Sequence, residues 1–245
     1  MDSTVRIIWL RETDSTNSFL RRHGHEYTEP LVAVVADHQT AGRGQGTNRW
    51  ESAPGQNVLL SLLTHPQHTA ARDQFLLSMA GALAVHDTLS RYADGFSVKW
   101  PNDVYHADRK ISGTLIETRL AGTDIRDCIF GVGININQTA FVSDAPNPVS
   151  LRQITGRETS RREVVEQVVD SFARLLADVE RGEHTAILER YWDHLYRRRG
   201  LYDYEDAAGR FSAEIVRVEP TGHLVLHDTA GRERRYAFKE VKYII

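Results

Sequence analysis

The sequence predicts an α+β protein in which a larger domain, residues 1–197, precedes a small β-barrel, residues 198–245. Segments with strand patterns and segments with helical periodicity both occur in the larger domain, whereas only strand patterns follow residue 211. The basic stretch 197–200 lies between these two compositions and marks the expected boundary.

Composition narrows the possible functions. Hydrophobic residues make up 41% of the 245 residues and charged residues 26%, which is typical of a globular protein. The net charge of −3 gives no general attraction to nucleic acid or to anionic membranes. The first residues show no secretory signal, and the longest uncharged apolar stretch, 75–85, is too short to span a bilayer. We therefore expect a cytoplasmic protein that binds neither DNA nor membranes.

The chain has a single cysteine, Cys128, so no intrachain disulfide can form. It lies in an apolar stretch, and we expect a buried thiol.

The predicted strands combine β-branched or continuous apolar residues with turn residues at their ends. In the larger domain they are 5–10, 31–36, 57–63, 96–100, 110–120 and 125–137. In the barrel, turns at 220–222 and 229–231 separate the strands.

Three helices are predicted in the larger domain. Several candidate N-cap residues at 14–17 and a glycine at 24 bound the first. Residues 74–92 have helical periodicity. The third begins at the capping box formed by Ser160 and Glu163, and its apolar residues recur at helical spacing as far as residue 182.

The glycine-rich segment 39–56 is too long for a simple turn, and such loops are usually functional or disordered. Gly42 and Gly44 flank Arg43, so the backbone can approach an anion while the guanidinium pairs with a phosphate or a carboxylate. Neither a Walker loop nor a dinucleotide fingerprint is present. A flexible surface loop with a solvated arginine is the alternative interpretation.

Two further segments place polar residues near strand ends. The sequence 99–103 (Lys-Trp-Pro-Asn-Asp) ends one strand, and Lys110 begins another, where an ammonium group could neutralise a carboxylate and a phosphate together. Glycines within the apolar strand 131–137 indicate close approach of a ligand or another backbone, and Asn135 and Asn137 would share one face. The alternatives are a surface lysine, a turn-forming Asn-Asp pair and a simple bulge.

These segments, in this order, resemble the biotin protein ligase family. The resemblance covers nearly the whole chain, and the combination of Lys-Trp-Pro-Asn-Asp, Gly-Arg-Gly and Gly-Ile-Asn is highly specific. The matching segments are Asp14-Ser15-Thr16-Asn17, Gln39-Thr40-Ala41-Gly42-Arg43-Gly44, Trp50, Lys99-Trp100-Pro101-Asn102-Asp103, Lys110-x-x-Gly113 and Gly133-Ile134-Asn135.

The resemblance implies a mixed β-sheet with helices, similar to class II aminoacyl-tRNA synthetases, followed by an SH3-like barrel. It also implies a two-step reaction in which ATP activates biotin to biotinyl-5′-adenylate and a lysine of a biotin carboxyl carrier protein then receives the biotin. Magnesium would bridge the phosphates. Family members often pair their sheets in a homodimer, an arrangement that no residue here demands.

The resemblance assigns the biotin-binding and catalytic residues. Arg43 would clamp the carboxylate and the α-phosphate, and Lys110 would stabilise the charge that develops on both in the transition state. Ser15, Thr16 and Gln39 would hydrogen-bond the ureido ring. The other expected biotin-binding residues are Asn17, Gly42, Gly44, Gln45, Gly113 and Gly133.

The nucleotide would be bound by Arg43 together with four further residues. Trp50 would either cover the adenine or order its loop, and Asn135 would contact the nucleotide. Asn102 or Asp103 would contact magnesium directly or through water, with Asp103 as the expected metal ligand. The expected ATP-binding residues besides Arg43 are Trp50, Lys99, Asn102 and Asn135. The loops 39–56 and 138–148 would order over the ligands and exclude water.

The sequence departs from the family in two places. Many members have Gly-Arg-Gly-Arg-Arg-Gly in the first loop, whereas Gln45, Gly46 and Thr47 stand at the last three places here, so the adenylate is expected to be held less tightly. Regulatory members carry an N-terminal helix-turn-helix, whereas the matched segments here begin close to Met1. We therefore expect a ligase-only form without transcriptional repression.

The sequence leaves three alternative functions open. A lipoate or octanoate ligase or transferase shares the fold, although Lys-Trp-Pro-Asn-Asp and the SH3-like segment argue against it. A non-catalytic module whose barrel docks peptides is a second alternative. A metallohydrolase is disfavoured, because no His-Glu-x-x-His occurs and the pairs His65/His68 and His223/His227 lack matching carboxylates.

Overall fold

The computed structural model describes residues 5–67, 69–142 and 146–245, and in these ranges the expected α+β fold is confirmed. Three features of the sequence analysis lie outside the described residues. They are residues 1–4, where no secretory signal was found, His68, and part of the loop predicted at 138–148.

A seven-stranded mixed sheet forms the larger part of the structure, in the order β1-β2-β3-β7-β6-β5-β4. The pair β1 and β2 is parallel and the other neighbouring strands are antiparallel. The strands are β1 (Val5–Thr13), β2 (Leu31–Gln39), β3 (Val58–Thr64), β4 (Phe96–Lys99), β5 (Asp103–His106), β6 (Arg109–Ala121) and β7 (Asp124–Ile134).

Helices cover both faces of this sheet. On one face α2 packs against α4, α5 and the strands β4 to β7, and on the other α1 packs against β2, β3 and β7. Strand β2 is buried on both faces, which explains why its first six residues form a continuous apolar run instead of an alternating one. The helices are α1 (Thr16–His23), α2 (Gln74–Leu89), α3 (Leu151–Thr155), α4 (Arg161–Glu180) and α5 (His184–Asp193).

The last part of the chain forms a separate five-stranded antiparallel sheet, which agrees with the small barrel expected there. Trp100 joins the two sheets, because its Nε1 donates to the Gly222 carbonyl at 3.0 Å and its ring lies 5.9 Å from that of Phe238. The division at residue 197 stays a prediction. The strands are β8 (Tyr202–Asp206), β9 (Gly209–Val218), β10 (Leu224–Asp228), β11 (Glu233–Tyr236) and β12 (Lys242–Tyr243).

The structure corrects several predicted elements. Strand β5 begins at Asp103, which the sequence suggested as part of a turn, and α3 and α5 were not predicted. At the start of α4 the Ser160 hydroxyl accepts from the Glu163 amide, but a complete capping box occurs instead at Ser150 and Gln153 before α3.

Two further features concern the whole fold. Cys128 is buried in β7, as expected, and burial raises the pKa of its thiol to about 12. Among the described helices, none combines the length and the apolar character needed to cross a membrane.

Candidate active site

A cavity of about 1450 Å³ lies between the large sheet, the 39–56 segment and the second sheet. All the predicted site residues line it except Gly42, which is buried within the 39–56 segment. A Cβ at Gly42 would lie 2.7 Å from the Trp50 carbonyl oxygen, so this glycine allows two parts of the loop to approach each other. The fold thus gathers residues that are more than a hundred positions apart in the sequence into one site.

One end of the cavity is a polar pocket at the start of α1. The Thr16 amide and hydroxyl both donate to Gln39 Oε1, at 2.7 and 3.0 Å, and Ser61 Oγ lies 2.7 Å from Thr16 Oγ1. The Gln39 amide nitrogen and the Ser15 hydroxyl have no hydrogen-bond partner among the described residues. One donor and one hydroxyl therefore remain for a small polar ligand.

Arg43 is held by a residue that sequence reasoning missed. Its Nη1 donates to Glu117 Oε1 at 3.1 Å, and Arg21 reaches the same oxygen at 3.4 Å. The other Glu117 oxygen accepts from Asn17 Nδ2 at 2.9 Å, so Asn17 braces this carboxylate as well as lining the cavity. The period of two along β6 places Gly113, Leu115 and Glu117 on one face, and this signal could have identified Glu117.

Lys110 forms the second charged centre. Its Nζ lies 2.5 Å from Asp103 Oδ2, and both side chains are about a quarter exposed (29% and 22%). The 146–149 segment fixes the backbone of Lys110, because its amide donates to the Asn147 carbonyl at 3.0 Å and its carbonyl accepts from the Val149 amide at 2.9 Å. The ammonium group is thus aimed into the cavity from a doubly anchored strand end.

Lys99 faces a different environment. Its Nζ lies 4.4 Å from the centre of the Tyr243 ring and 5.5 Å from that of Tyr105. Burial lowers the pKa of its ammonium group, the Asp103 carboxylate opposes this shift, and the charge of Lys110 adds to it. Lys99 therefore lines the cavity as a cation held by aromatic rings of both sheets.

The Trp50 indole lies directly on the backbone of two strands. A Cβ on Gly133 would come within 2.2 Å of the ring, and a Cβ on Gly113 would lie 3.0 Å from it. The two glycines therefore create the surface on which Trp50 rests. The Trp50 Nε1 group is buried and has no hydrogen-bond partner in the described residues.

The 39–56 segment is more ordered than its sequence suggested. The Gly44 amide donates to the Asn48 carbonyl at 2.8 Å, and Arg43 and Arg49 form an isolated antiparallel bridge, so 43–49 is a small hairpin. The loop that begins at Gln138 is hydrogen-bonded to the 39–56 segment, because Gln138 Oε1 accepts from the Ala53 amide at 2.9 Å. The two loops predicted to close over ligands are therefore already connected.

Two asparagines that were expected to share a strand face behave differently. Strand β7 ends at Ile134, so both lie beyond it. Asn135 lines the cavity, and its buried Oδ1 has no hydrogen-bond partner among the described residues. Asn137 instead exchanges two hydrogen bonds with the Thr159 backbone, at 3.0 Å each, and does not line the cavity. The expectation of a shared face was wrong because the strand ends earlier than its apolar pattern.

Asn102 also has an internal partner. Its side-chain nitrogen donates to Ser78 Oγ at 3.1 Å, and its carbonyl accepts from the Thr114 hydroxyl at 3.2 Å. These bonds fix the turn that presents the neighbouring Asp103 carboxylate to the cavity.

Replacing Gly133 by alanine is expected to displace Trp50, because the new methyl group would overlap the indole ring. Without this anchor the amide hydrogens of residues 40–50 should exchange about tenfold faster, which corresponds to about 1.4 kcal/mol of lost local stability. Hydrogen exchange followed by mass spectrometry measures this rate. Gly113→Ala is the matched control with the smaller overlap, and equal exchange in the two variants would contradict the role of Gly133.

The fold and the site together define a class of protein: an α+β enzyme fold whose cavity is built to receive anionic and small polar groups. The sequence matches the Biotin/lipoate A/B protein ligase family over residues 9–135. This match spans half of the chain, and the chain belongs to that family.

Individual relatives give the same result. The chain is 29% identical over 239 residues to the biotin–[acetyl-CoA-carboxylase] ligase of Paracoccus denitrificans, covering 91% of this chain and 95% of that protein. It is 27% identical over 210 residues to the bifunctional ligase/repressor BirA of Bacillus spizizenii, covering 83% of this chain but only 64% of that protein. The structure of the Aquifex aeolicus biotin protein ligase in complex with biotin and ATP superimposes with a TM-score of 0.79, at 25% identity, covering 98% and 99% of the two chains.

Proposed function

We propose that the chain is a biotin protein ligase, which forms biotinyl-5′-adenylate from biotin and ATP and transfers biotin to a lysine of a carrier protein. The observation that carries this proposal is the combination, in one cavity, of two anion-binding cations, Arg43 and Lys110, with the uncharged polar pocket around Gln39. Biotin has the matching chemistry, with a polar uncharged ring at one end and a carboxylate at the other.

The polar pocket would orient the ureido ring. The free Gln39 amide nitrogen can donate to the ureido oxygen, and the Ser15 hydroxyl can accept from a ureido N–H. Thr16 holds the Gln39 side chain through two hydrogen bonds, so the donor is fixed before the ligand arrives. An acid without such a ring would leave these polar groups without their ligand partners, which is the basis of selectivity here.

In the first step an oxygen of the biotin carboxylate attacks the α-phosphorus of ATP. The new carbon–oxygen–phosphorus link forms as the bond from the α-phosphorus to the bridging oxygen breaks, and pyrophosphate leaves with that oxygen. Two anions must approach each other, so opposing their repulsion is the main task of the site. Arg43 and Lys110 would do this by exchanging their present carboxylate partners, Glu117 and Asp103, for the substrate anions.

In the second step the ε-amino nitrogen of a carrier lysine attacks the activated carbonyl carbon. AMP leaves with the oxygen that joined carbon to phosphorus, and the nitrogen loses a proton to solvent. Before this the mixed anhydride must be kept from water. The connected loops fit this task, because Glu51, which lines the cavity, links the 39–56 segment to Gln138 and Val142 through hydrogen bonds.

Magnesium fits the site only together with ATP. The described residues contain no cluster of three or more potential metal-ligating side chains, but Asp103 presents one carboxylate to the cavity. Magnesium in nucleotide sites is commonly held by one or two carboxylates and the substrate phosphates. Bound in this way the ion would neutralise phosphate charge, with Asp103 as its protein ligand.

The orphaned Asn135 Oδ1 supports nucleotide binding. A buried amide oxygen without a partner is unfavourable, and a hydroxyl or amino group of the nucleotide would satisfy it. The identity of the carrier, a homodimer and a cytoplasmic location remain predictions.

Labelling of a purified apo-carrier tests the proposal. Incubation with ATP and radioactive biotin should label a biotin carboxyl carrier domain, while radioactive lipoate should label neither that domain nor a lipoyl domain. Lipoate labelling in the absence of biotin labelling would contradict the proposal and favour the lipoate ligase alternative.

A further inference from the structure

The second sheet contributes a cation to the cavity from the opposite side. The turn between β11 and β12 forms part of the cavity wall through Phe238, Lys239 and Val241. Lys239 Nζ lies directly against the tip of the 43–49 hairpin, since a Cβ built on Gly46 would be 2.7 Å from it. A basic side chain that is distant in sequence thus stands beside the loop that carries Arg43.

Lys239 has no electrostatic partner that would explain its position. It forms no ion pair with any described residue, and its only charge-related contact is with the adjacent Phe238 ring, at 6.0 Å. By contrast, Arg43 and Lys110 already face carboxylates. Within the described part of the cavity, Lys239 is therefore a cation whose charge is available to a ligand.

The backbone at Lys239 is also unusual. Its φ of 73° lies in the left-handed region, which a residue with a side chain adopts at a cost of about 1–3 kcal/mol. Such conformations persist where the surrounding structure fixes them, often at ligand-binding sites. Here the conformation presents the lysine at the hairpin tip, whose own residues, Gln45 to Asn48, carry no charge.

We propose that Lys239 binds the β- and γ-phosphates of ATP and stabilises the departing pyrophosphate. This rests on the proposed function and names a further residue for it. Arg43 and Lys110 bracket the junction of the carboxylate and the α-phosphate on the large sheet, whereas Lys239 enters from the second sheet at the hairpin tip. The outer phosphates carry most of the negative charge of ATP, and the charges of Arg43 and Lys110 are each already partly neutralised by a carboxylate.

The test compares Lys239→Gly, Lys239→Arg and Arg210→Ala. Glycine suits the left-handed backbone, so Lys239→Gly removes the charge without adding strain. Lys239→Arg keeps the charge. Arg210→Ala removes one exposed cation of the second sheet that does not line the cavity, and it serves as the matched control.

For Lys239→Gly we expect the ATP dissociation constant, measured by calorimetry on the full chain, and the KM for ATP in pyrophosphate exchange to rise about tenfold. The KM for biotin should change less than about twofold, and Lys239→Arg and Arg210→Ala should behave like the unmodified protein. Introducing Gln45→Arg into Lys239→Gly should recover most of the ATP affinity, because it returns a cation to the hairpin tip.

Equal ATP affinity in the unmodified protein and in Lys239→Gly would overturn the assignment, even if biotin-dependent exchange is intact. A different result would separate the two proposals: ATP affinity depends on Lys239, but the protein shows no biotin-dependent pyrophosphate exchange. In that case the assignment of Lys239 stands and the proposed function is refuted. A parallel loss of biotin and ATP affinity would indicate a structural role and would also overturn it.

Discussion

Replacing Arg43 by alanine is expected to slow biotinyl-adenylate formation by at least about a hundredfold, the usual cost of losing one charge-stabilising donor in a transition state. Arg43, in the 39–56 segment, lines the cavity and forms an ion pair with Glu117. Its loss removes the clamp and leaves the Glu117 carboxylate with Arg21 as its remaining cation, so the approach of two substrate anions becomes less favourable.

Biotin-dependent exchange of labelled pyrophosphate into ATP measures this rate. Arg21→Ala is the matched control, because Arg21 binds the same Glu117 oxygen but does not line the cavity. It should retain the rate within about twofold, since partly exposed ion pairs contribute only ~0–1 kcal/mol. An unchanged rate in Arg43→Ala would remove this residue from the catalytic centre.

Replacing Lys110 by alanine is expected to have an effect at least as large, about a hundred- to a thousandfold on adenylate formation. Two effects slow adenylate formation in this variant. The ammonium group that stabilises the developing charge is lost. The Asp103 carboxylate also loses its ion-pair partner, which lay 2.5 Å away, and repels the incoming anions more strongly. The strand end itself should persist, because backbone hydrogen bonds with 147–149 hold it.

Single-turnover formation of the adenylate, followed by chromatography, isolates this step. Lys110→Arg keeps the charge and should lose far less activity than Lys110→Ala. Arg119→Ala, on the same strand but paired with Asp127 away from the cavity, should leave the rate unchanged. A near-normal rate in Lys110→Ala with an intact fold would contradict the role assigned to its charge.

Much of the fold could be predicted because the strongest patterns reflect burial. Strand β2 is a continuous apolar run since both of its faces are covered, and α4 shows helical spacing since one face packs on α2. Helix α5 was missed because only Ile187 and Tyr191 are buried in it, which is too few to reveal a period. Strand β5 was missed because an Asn-Asp pair is as typical of turns as of strand ends.

The candidate site, like the fold, could be predicted only in part from the sequence. Arg43 and Lys110 could be predicted because the segments that carry them match, in order, the motifs of the family that the sequence resembles. The alternation along β6 places Glu117 on the same face as Gly113, but its contact with Arg43 is made only by folding. Lys239 has no such signal in the sequence, and its position is revealed only by its contact with Gly46. Local patterns report periodicity, and they carry no information on which distant charge will lie across a cavity.

In the proposed reaction a carboxylate oxygen of biotin attacks the α-phosphorus and later leaves with AMP. Biotin labelled with ¹⁸O in both carboxylate positions tests this most directly, with mass spectrometry of the AMP released on transfer to an apo-carrier. We expect one ¹⁸O in each AMP and none in pyrophosphate. Unlabelled AMP, or ¹⁸O in pyrophosphate, would contradict it.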